Sequence, residues 1–248
     1  MGTMTHVAGR LAFSKAADIV LKNVEKNREK ELVKLVDLAE KYMSGEKLDL
    51  DFDKAREMML DKDCTLNRYI NRLLDEVDPH VLKTTLLNLG YEAFFYGTKT
   101  IRKMREIHQC NVPWLILMDP TSACNLHCTG CWAAEYGNRL NLTFEEMDHL
   151  ITQGKELGIY FYMFTGGEPL VRKKDIIRLC EKHNDCAFLA FTNGTLVDEA
   201  MCQEMKRVGN LYLAISLEGF EAVNDLRRGE GVYGKVMRAM DLLKENGL

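Results

Sequence analysis

The stretch Asp119-Pro-Thr-Ser-Ala-Cys124-Asn-Leu-His-Cys128-Thr-Gly-Cys131-Trp132 carries three cysteines in the spacing C-x3-C-x2-C, directly after the apolar run 114–119. That run predicts a strand, and the cysteines fill the loop at its end. Downstream, Thr143-Phe-Glu-Glu146 is a capping box, because the Thr hydroxyl and the Glu side chain can each satisfy a free backbone donor. Phe144, Met147, Leu150/Ile151 and Leu157 then trace one helix face that ends at Gly158.

The alternation repeats. Strands are predicted at 159–164, 187–192 and 211–216, and helices near 173–183 and 199–208, the latter closed by Gly209. A fourth helix is marked by Tyr233, Val236/Met237, Met240 and Leu243, with Gly247 as its stop. Four strand–helix units in a row predict an α/β fold with a parallel sheet and right-handed crossovers. A doubly wound sheet and a barrel both fit, but the loop after the first strand carries cysteines where a dinucleotide fold needs its glycines. A closed eight-stranded barrel takes ~250 residues, and 138 follow Cys110. The expectation is therefore a barrel interrupted after its fourth unit, with a small open sheet as the alternative.

Residues 1–110 read as a separate helical region without a catalytic motif, and 111–248 as the barrel part. Helices are predicted over 27–43, stopped by Ser44-Gly45, then over 53–60 and 66–77, and, after the break at Pro79, over 81–105. In the last of these, Leu86, Leu87, Leu89, Tyr91, Phe94, Phe95 and Tyr96 precede Lys99, Arg102, Lys103 and Arg105. This segment reads as a helix docked on the barrel with a solvated basic end; peripheral contact with a membrane surface is the competing reading.

Composition sets outer limits. With 46% hydrophobic and 28% charged residues among 248, the chain is an ordinary globular sequence. No apolar run approaches the ~20 residues of a membrane helix, and a net charge of −4 gives no pull toward nucleic acid. The N-terminal residues lack the apolar core of an export signal, so the expectation is a cytoplasmic chain, where a tight cysteine group more often binds metal or does redox chemistry than forms disulfides. Three thiolates on one loop can hold three corners of a cubic iron–sulfur cluster and leave one iron open. Zinc held by the three cysteines and His127 is a second reading, although His127 lies inside the x3 gap, next to Cys128. Plain buried thiols are a third, which is also how the scattered Cys180, Cys186 and Cys202 read.

Further motifs stand at the other strand ends: Gly166-Gly167-Glu168-Pro169, Thr192-Asn193-Gly194 and Ser216-Leu217-Glu218-Gly219. Two glycines let the backbone approach a ligand closely, and a carboxylate can take up an ammonium. All four loops therefore share one edge of a parallel sheet, where such folds place their sites.

The cysteine spacing, followed by Gly-Gly-Glu one strand later, resembles the radical S-adenosylmethionine (radical SAM) enzymes over residues 114–248. The resemblance implies a partial (β/α)6 TIM-like barrel and a 4Fe–4S cluster on Cys124, Cys128 and Cys131. It implies S-adenosylmethionine chelating the open iron, with Gly166, Gly167 and Glu168 at its amine and Asn193, Ser216, Glu218 and Arg228 as further contacts. It also implies a low-potential electron donor, a flavodoxin or ferredoxin, and cleavage of S-adenosylmethionine to a 5′-deoxyadenosyl radical that takes hydrogen from a peptide, lipid or other small molecule. One departure is Gly130, which stands where many members have an aromatic residue; Trp132 follows the third cysteine instead. The alternative is a zinc or iron–sulfur module, structural or electron-transferring, without S-adenosylmethionine chemistry.

Overall fold

The strands form where leucine, aromatic and other apolar residues run for four to six positions. In the computed structural model, which describes residues 4–43, 50–133, 137 and 139–248, they are β1 Leu115–Met118, β2 Phe161–Phe164, β3 Ala187–Thr192 and β4 Leu211–Ile215. They pair in parallel in the order β1-β2-β3-β4, with Ile116 opposite Tyr162, Tyr162 opposite Phe188 and Phe188 opposite Leu211. Sequential order with parallel pairing requires each helix to cross back over the sheet.

One sheet face is the core. Tyr162, Phe164, Phe188 and Ala190 are buried on it, and the Phe164 and Phe188 rings stack at 5.7 Å. Met147 and Ile151, Ile176 and Leu179, and Met201 and Met205 cover it, from the helices Phe144–Glu156, Lys173–Lys182 and Glu199–Val208. Each fully buried side chain of this size contributes about 1.5–3 kcal/mol. The opposite face, with Leu117 and Phe191, is partly open. The capping box at Thr143 and Glu146 is formed in both directions.

Numbered in chain order, the helices before the sheet are α1 Met4–Asn23, α2 Arg28–Met43, α3 Phe52–Leu60, α4 Thr65–Glu76, α5 Pro79–Thr85 and α6 Thr98–His108. The helices of the sheet region are α7 Phe144–Glu156, α8 Lys173–Lys182, α9 Glu199–Val208, α10 Glu221–Arg228 and α11 Val232–Glu245. The expected stop at Ser44-Gly45 lies outside the described residues.

Between α5 and α6 the chain is π-helical over Leu86–Gly97. Gly97 lets this segment press on the α7–β2 turn, since a Cβ there would stand 2.5 Å from Gly158 O. Asn88 Nδ2 donates to the carbonyls of Asn184 and Cys186 at 2.9 and 2.8 Å, and Trp114 Nε1 donates to Ala93 O at 3.1 Å. The aromatic–basic segment is therefore docked at the N-terminal edge of the sheet, with Leu87, Tyr91 and Ala93 buried. From α1, His6 Nε2 and Arg10 Nη1 reach the buried Glu92 carboxylate at 2.7 and 2.6 Å, and Arg10 Nη2 donates to Asn88 Oδ1 at 3.1 Å. Among the described residues no helix is long and apolar enough to cross a membrane.

Candidate functional site

The C-terminal edge of the sheet carries the four motif-bearing loops. The longest runs from β1 to α7, and its base is closed by an isolated antiparallel bridge between Thr121 and Asn141. Thr121 Oγ1 donates to Asn141 Oδ1 at 2.6 Å, Ser122 N donates to Leu140 O at 2.8 Å, and Leu142 N donates to Pro120 O at 3.1 Å. Arg172 clamps the same base from outside. Its Nη1 donates to Pro120 O at 3.2 Å and Leu142 O at 2.9 Å, while Nε is held by Asp175 at 2.8 Å.

Within this loop Cys124, Cys128 and Cys131 line one cavity of about 160 Å³, together with Ser122, Leu126, His127, Ala133, Gly137 and Gly167. All three cysteines are half-buried and free of disulfides. Burial pushes the Cys124 thiol up; the nearby Glu168, Cys128 and Cys131 add to this, and the Leu126 N–H opposes it. Among the described residues, no three His, Cys, Asp or Glu side chains are gathered as the ligands of a single ion. A second cavity of about 410 Å³ shares Ser122 and Ala133 and adds Asp119, Trp132, Leu140 and Gly166.

The Gly-Gly-Glu segment extends the β1–β2 pairing into the cysteine loop. Thr165 N donates to Met118 O at 2.9 Å, Gly167 N to Thr121 O at 2.9 Å, and Glu168 N to Ala123 O at 2.8 Å. A Cβ on Gly167 would stand 2.2 Å from Ala123 O, and one on Gly166, where φ is +98°, 2.6 Å from Thr121 O. What these glycines admit so closely is the backbone of the cysteine loop. The ligand approach expected from the sequence concerns the other side of Gly167, which faces the cavity.

Glu168 is only 1% exposed and does not line the cysteine cavity. Its carboxylate accepts from Leu170 N at 3.0 Å, Thr192 Oγ1 at 2.7 Å and Asn193 N at 2.8 Å. Burial raises its pKa, against these three donors and the charge of Arg228, which lower it. It caps the short 3-10 turn Pro169–Arg172 and ties the end of β2 to the end of β3.

Asn193 is also buried and turned toward protein. Its Nδ2 donates to Asn125 Oδ1 at 2.9 Å, and its Oδ1 accepts from Thr195 N and Oγ1 at 2.9 and 2.7 Å. Asn125 Nδ2 in turn donates to Thr195 Oγ1 at 2.8 Å. Ser216 is placed by its N–H, which donates to Thr192 O at 2.9 Å. Glu218 receives Arg227 Nη1 at 2.8 Å and Arg228 Nε at 3.1 Å, and these arginines hold its carboxyl below the usual range, Arg228 foremost. The Arg227 carbonyl accepts from Thr129 N at 2.7 Å, so the end of α10 also reaches the cysteine loop.

The structure thus brings the three cysteines and Gly167 to the lining of one cavity, while Glu168, Asn193, Ser216, Glu218 and Arg228 are not among its lining residues and are bonded to protein partners. Sequence reasoning missed Asn125, Thr195 and Arg172, and it missed α10. That helix is short, lacks a side-chain cap and leaves Phe220 86% and Leu226 83% exposed, so it has no buried stripe to reveal it.

The sequence profile of the radical SAM superfamily matches residues 118–248, more than half of the chain. The chain belongs to the radical SAM superfamily. Among the similar curated proteins, Fe-coproporphyrin III synthase of Methanosarcina barkeri is 33% identical over 141 residues, 54% of this chain and 35% of that protein. PqqA peptide cyclase of Granulibacter bethesdensis is 32% identical over 143 residues, 55% of this chain and 38% of that protein. The matched part of this radical SAM chain therefore spans little more than a third of either relative. Among solved structures, Streptococcus suis SuiB bound to S-adenosylmethionine superposes with a TM-score of 0.52 at 14% identity, covering 86% of this chain and 47% of that one. That likeness concerns the fold, and it extends into the helical region ahead of β1.

Proposed function

We propose that this chain holds a 4Fe–4S cluster on Cys124, Cys128 and Cys131, binds S-adenosylmethionine beside it, and belongs to an enzyme that starts a radical reaction on an organic substrate. The observation that carries the reading is that all three cysteines and Gly167 line one cavity. The donor set fits the group. Thiolates are the protein ligands of such clusters, each bonding a different iron, so they spread around a cavity instead of converging on one ion. Burial and the nearby Glu168 disfavour the Cys124 thiolate, and a bound cationic metal centre would favour it. Cys124, Cys128 and Cys131 would hold the cluster, which together with S-adenosylmethionine and one external electron would supply reductive cleavage of that cofactor as the radical source.

The protein's own work is then binding, orientation and exclusion of water. Cys124, Cys128 and Cys131 fix three corners and leave the fourth for the cofactor. The 410 Å³ cavity against Trp132 and Gly166 gives an organic cofactor room beside them. The electron would come from a flavodoxin or ferredoxin reaching the exposed cysteine loop. The relatives include enzymes named for porphyrins, a peptide and GTP, so the shared segment accompanies several substrate classes.

His127 lines the same cavity, so a Cys3His zinc site is the second reading, although it would need the four side chains to converge, which they do not in this structure. One experiment separates them. The chain is reconstituted anaerobically with iron and sulfide, and EPR of the reduced protein is recorded with and without S-adenosylmethionine. A 4Fe–4S signal that changes with S-adenosylmethionine and vanishes in Cys124→Ala supports the proposal. A colourless protein retaining one zinc overturns it.

A further inference from the structure

The two residues that flank Cys124 are held from two different strand ends. On one side Ala123 O accepts from Glu168 N, at the end of β2. On the other, Asn125 enters a closed ring of three side chains with Asn193 and Thr195, just past the end of β3. Asn193 Nδ2 donates to Asn125 Oδ1 at 2.9 Å, Asn125 Nδ2 donates to Thr195 Oγ1 at 2.8 Å, and Thr195 Oγ1 donates to Asn193 Oδ1 at 2.7 Å. Each amide uses both its donor and its acceptor ends, the hydroxyl donates once and accepts once, and the Thr195 N–H, which donates to Asn193 Oδ1 at 2.9 Å, fixes the direction of the ring. Asn193 N is anchored in turn by buried Glu168. The ring therefore rests on a fixed base, although Asn125 itself is at the surface.

Cys128 and Cys131 are held differently. They form their own turn through Cys131 N to Cys128 O at 3.2 Å, tied outward by the bond from Thr129 N to Arg227 O. Cys124 is thus the cysteine whose neighbours are referenced to the sheet on both sides.

We propose that Asn125 and Thr195 are positioning residues: with Asn193 they close a side-chain ring that orders the cysteine loop before any cluster arrives and fixes Cys124 against β2 and β3. Asn193 is then a member of this frame, and its side chain is committed before any cofactor binds. The consequence for the cluster rests on the function proposed above. The ordering of the loop does not.

The test uses the full chain and two readouts. Hydrogen exchange is measured on the cluster-free wild type, Asn125→Ala, Thr195→Val and Thr195→Ser. Losing two ring bonds in Asn125→Ala speeds exchange over 122–126 by about fivefold to thirtyfold, while β3 and α9 exchange as in the wild type. Thr195→Val, which keeps the shape and removes the hydroxyl, does the same to a smaller degree, and Thr195→Ser restores wild-type protection. Unchanged exchange over 122–126 in both Asn125→Ala and Thr195→Val overturns the proposal. So does an increase spread evenly over the whole sheet, which marks general destabilisation.

The second readout is the lifetime of the reconstituted cluster under an iron chelator, expected to shorten in Asn125→Ala and Thr195→Val and to recover in Thr195→Ser. A cluster lifetime that ignores the ring while the loop loosens refutes its role in fixing Cys124. If the wild type builds no cluster, the functional reading fails, and the exchange arm still decides whether the ring orders the loop.

Discussion

Gly167→Ala tests how closely the Gly-Gly-Glu segment must meet the cysteine loop. A methyl group there would sit 2.2 Å from Ala123 O, 2.6 Å from Ala123 C and 2.6 Å from Ser122 O. These are backbone atoms, so no side chain can swing away. An ordinary C···O contact is about 3.3 Å, which demands a separation of about 1 Å. That movement takes the 2.8 Å bond from Glu168 N to Ala123 O beyond hydrogen-bond reach and weakens the 2.9 Å bond from Gly167 N to Thr121 O. Two such bonds are worth roughly 1–3 kcal/mol. Restricting the unfolded chain returns about 0.4–1 kcal/mol, leaving a net loss of about 1–2 kcal/mol. For a chain of this size the melting point falls by about 2–8 °C. Gly130→Ala is the comparison: its φ of +70° makes a side chain costly, yet nothing lies within 4 Å of the added atom. Both variants lose stability, but only Gly167→Ala exposes the Glu168 amide, whose exchange should rise about fivefold to thirtyfold. Protection of that amide in Gly167→Ala equal to the wild type would refute the close-approach argument.

Arg172→Met removes the donors to Pro120 O and Leu142 O while keeping the aliphatic stem; a cost of about 1.5–3 kcal/mol should appear as a lowered melting point, with faster exchange confined to the base of the cysteine loop. His183 supplies the pH test. Burial lowers its pKa from the ordinary 6.5, with Lys155 adding to this and Asp148 at 2.9 Å opposing it. The unfolded chain therefore binds the proton first, and stability declines as pH falls from about 6.5 toward the folded value, by at most about 1.4 kcal/mol per pH unit. The difference between wild type and His183→Gln in urea midpoints at pH 7.5 and 5.5 isolates this effect; the reasoning fails if that difference is the same at both pH values.

The order of elements was legible because hydrophobic period and turn chemistry agreed. The period of two at Tyr162 and Phe164 placed them on the core face, and Thr143 with Glu146 announced α7 by its cap. The segment at 86–97 is apolar on nearly every side, so its helicity was plain. Its π geometry was not, because the wider turn depends on what it meets: Gly158 near Gly97, and the carbonyls of Asn184 and Cys186 at Asn88. The cysteine loop was legible as a pattern of ligand types. Its supports were not, since Asn125, Thr195 and Arg172 are common polar residues whose partners lie 70 and 52 positions away in the bonds from Asn125 to Thr195 and from Arg172 to Pro120. No local spacing encodes such a pair.

Glu168 shows what this difference means for the site. From the sequence, a carboxylate after two glycines is a natural partner for an ammonium group. In the structure three internal donors already hold it, and a carboxylate offers about four lone-pair positions. At most one remains for a ligand. Its burial nevertheless leaves the charged form destabilised, so the three donors and Arg228 do not fully offset the loss of water. A cation near the Gly166–Gly167 turn would complete that compensation through space, without a direct contact. The same argument applies to Cys124, whose thiolate is disfavoured by the same burial and by the same neighbouring carboxylate. Burial thus disfavours the charged forms of two groups, one on each side of the Ala123–Glu168 hydrogen bond, and a positive charge bound between them would favour both.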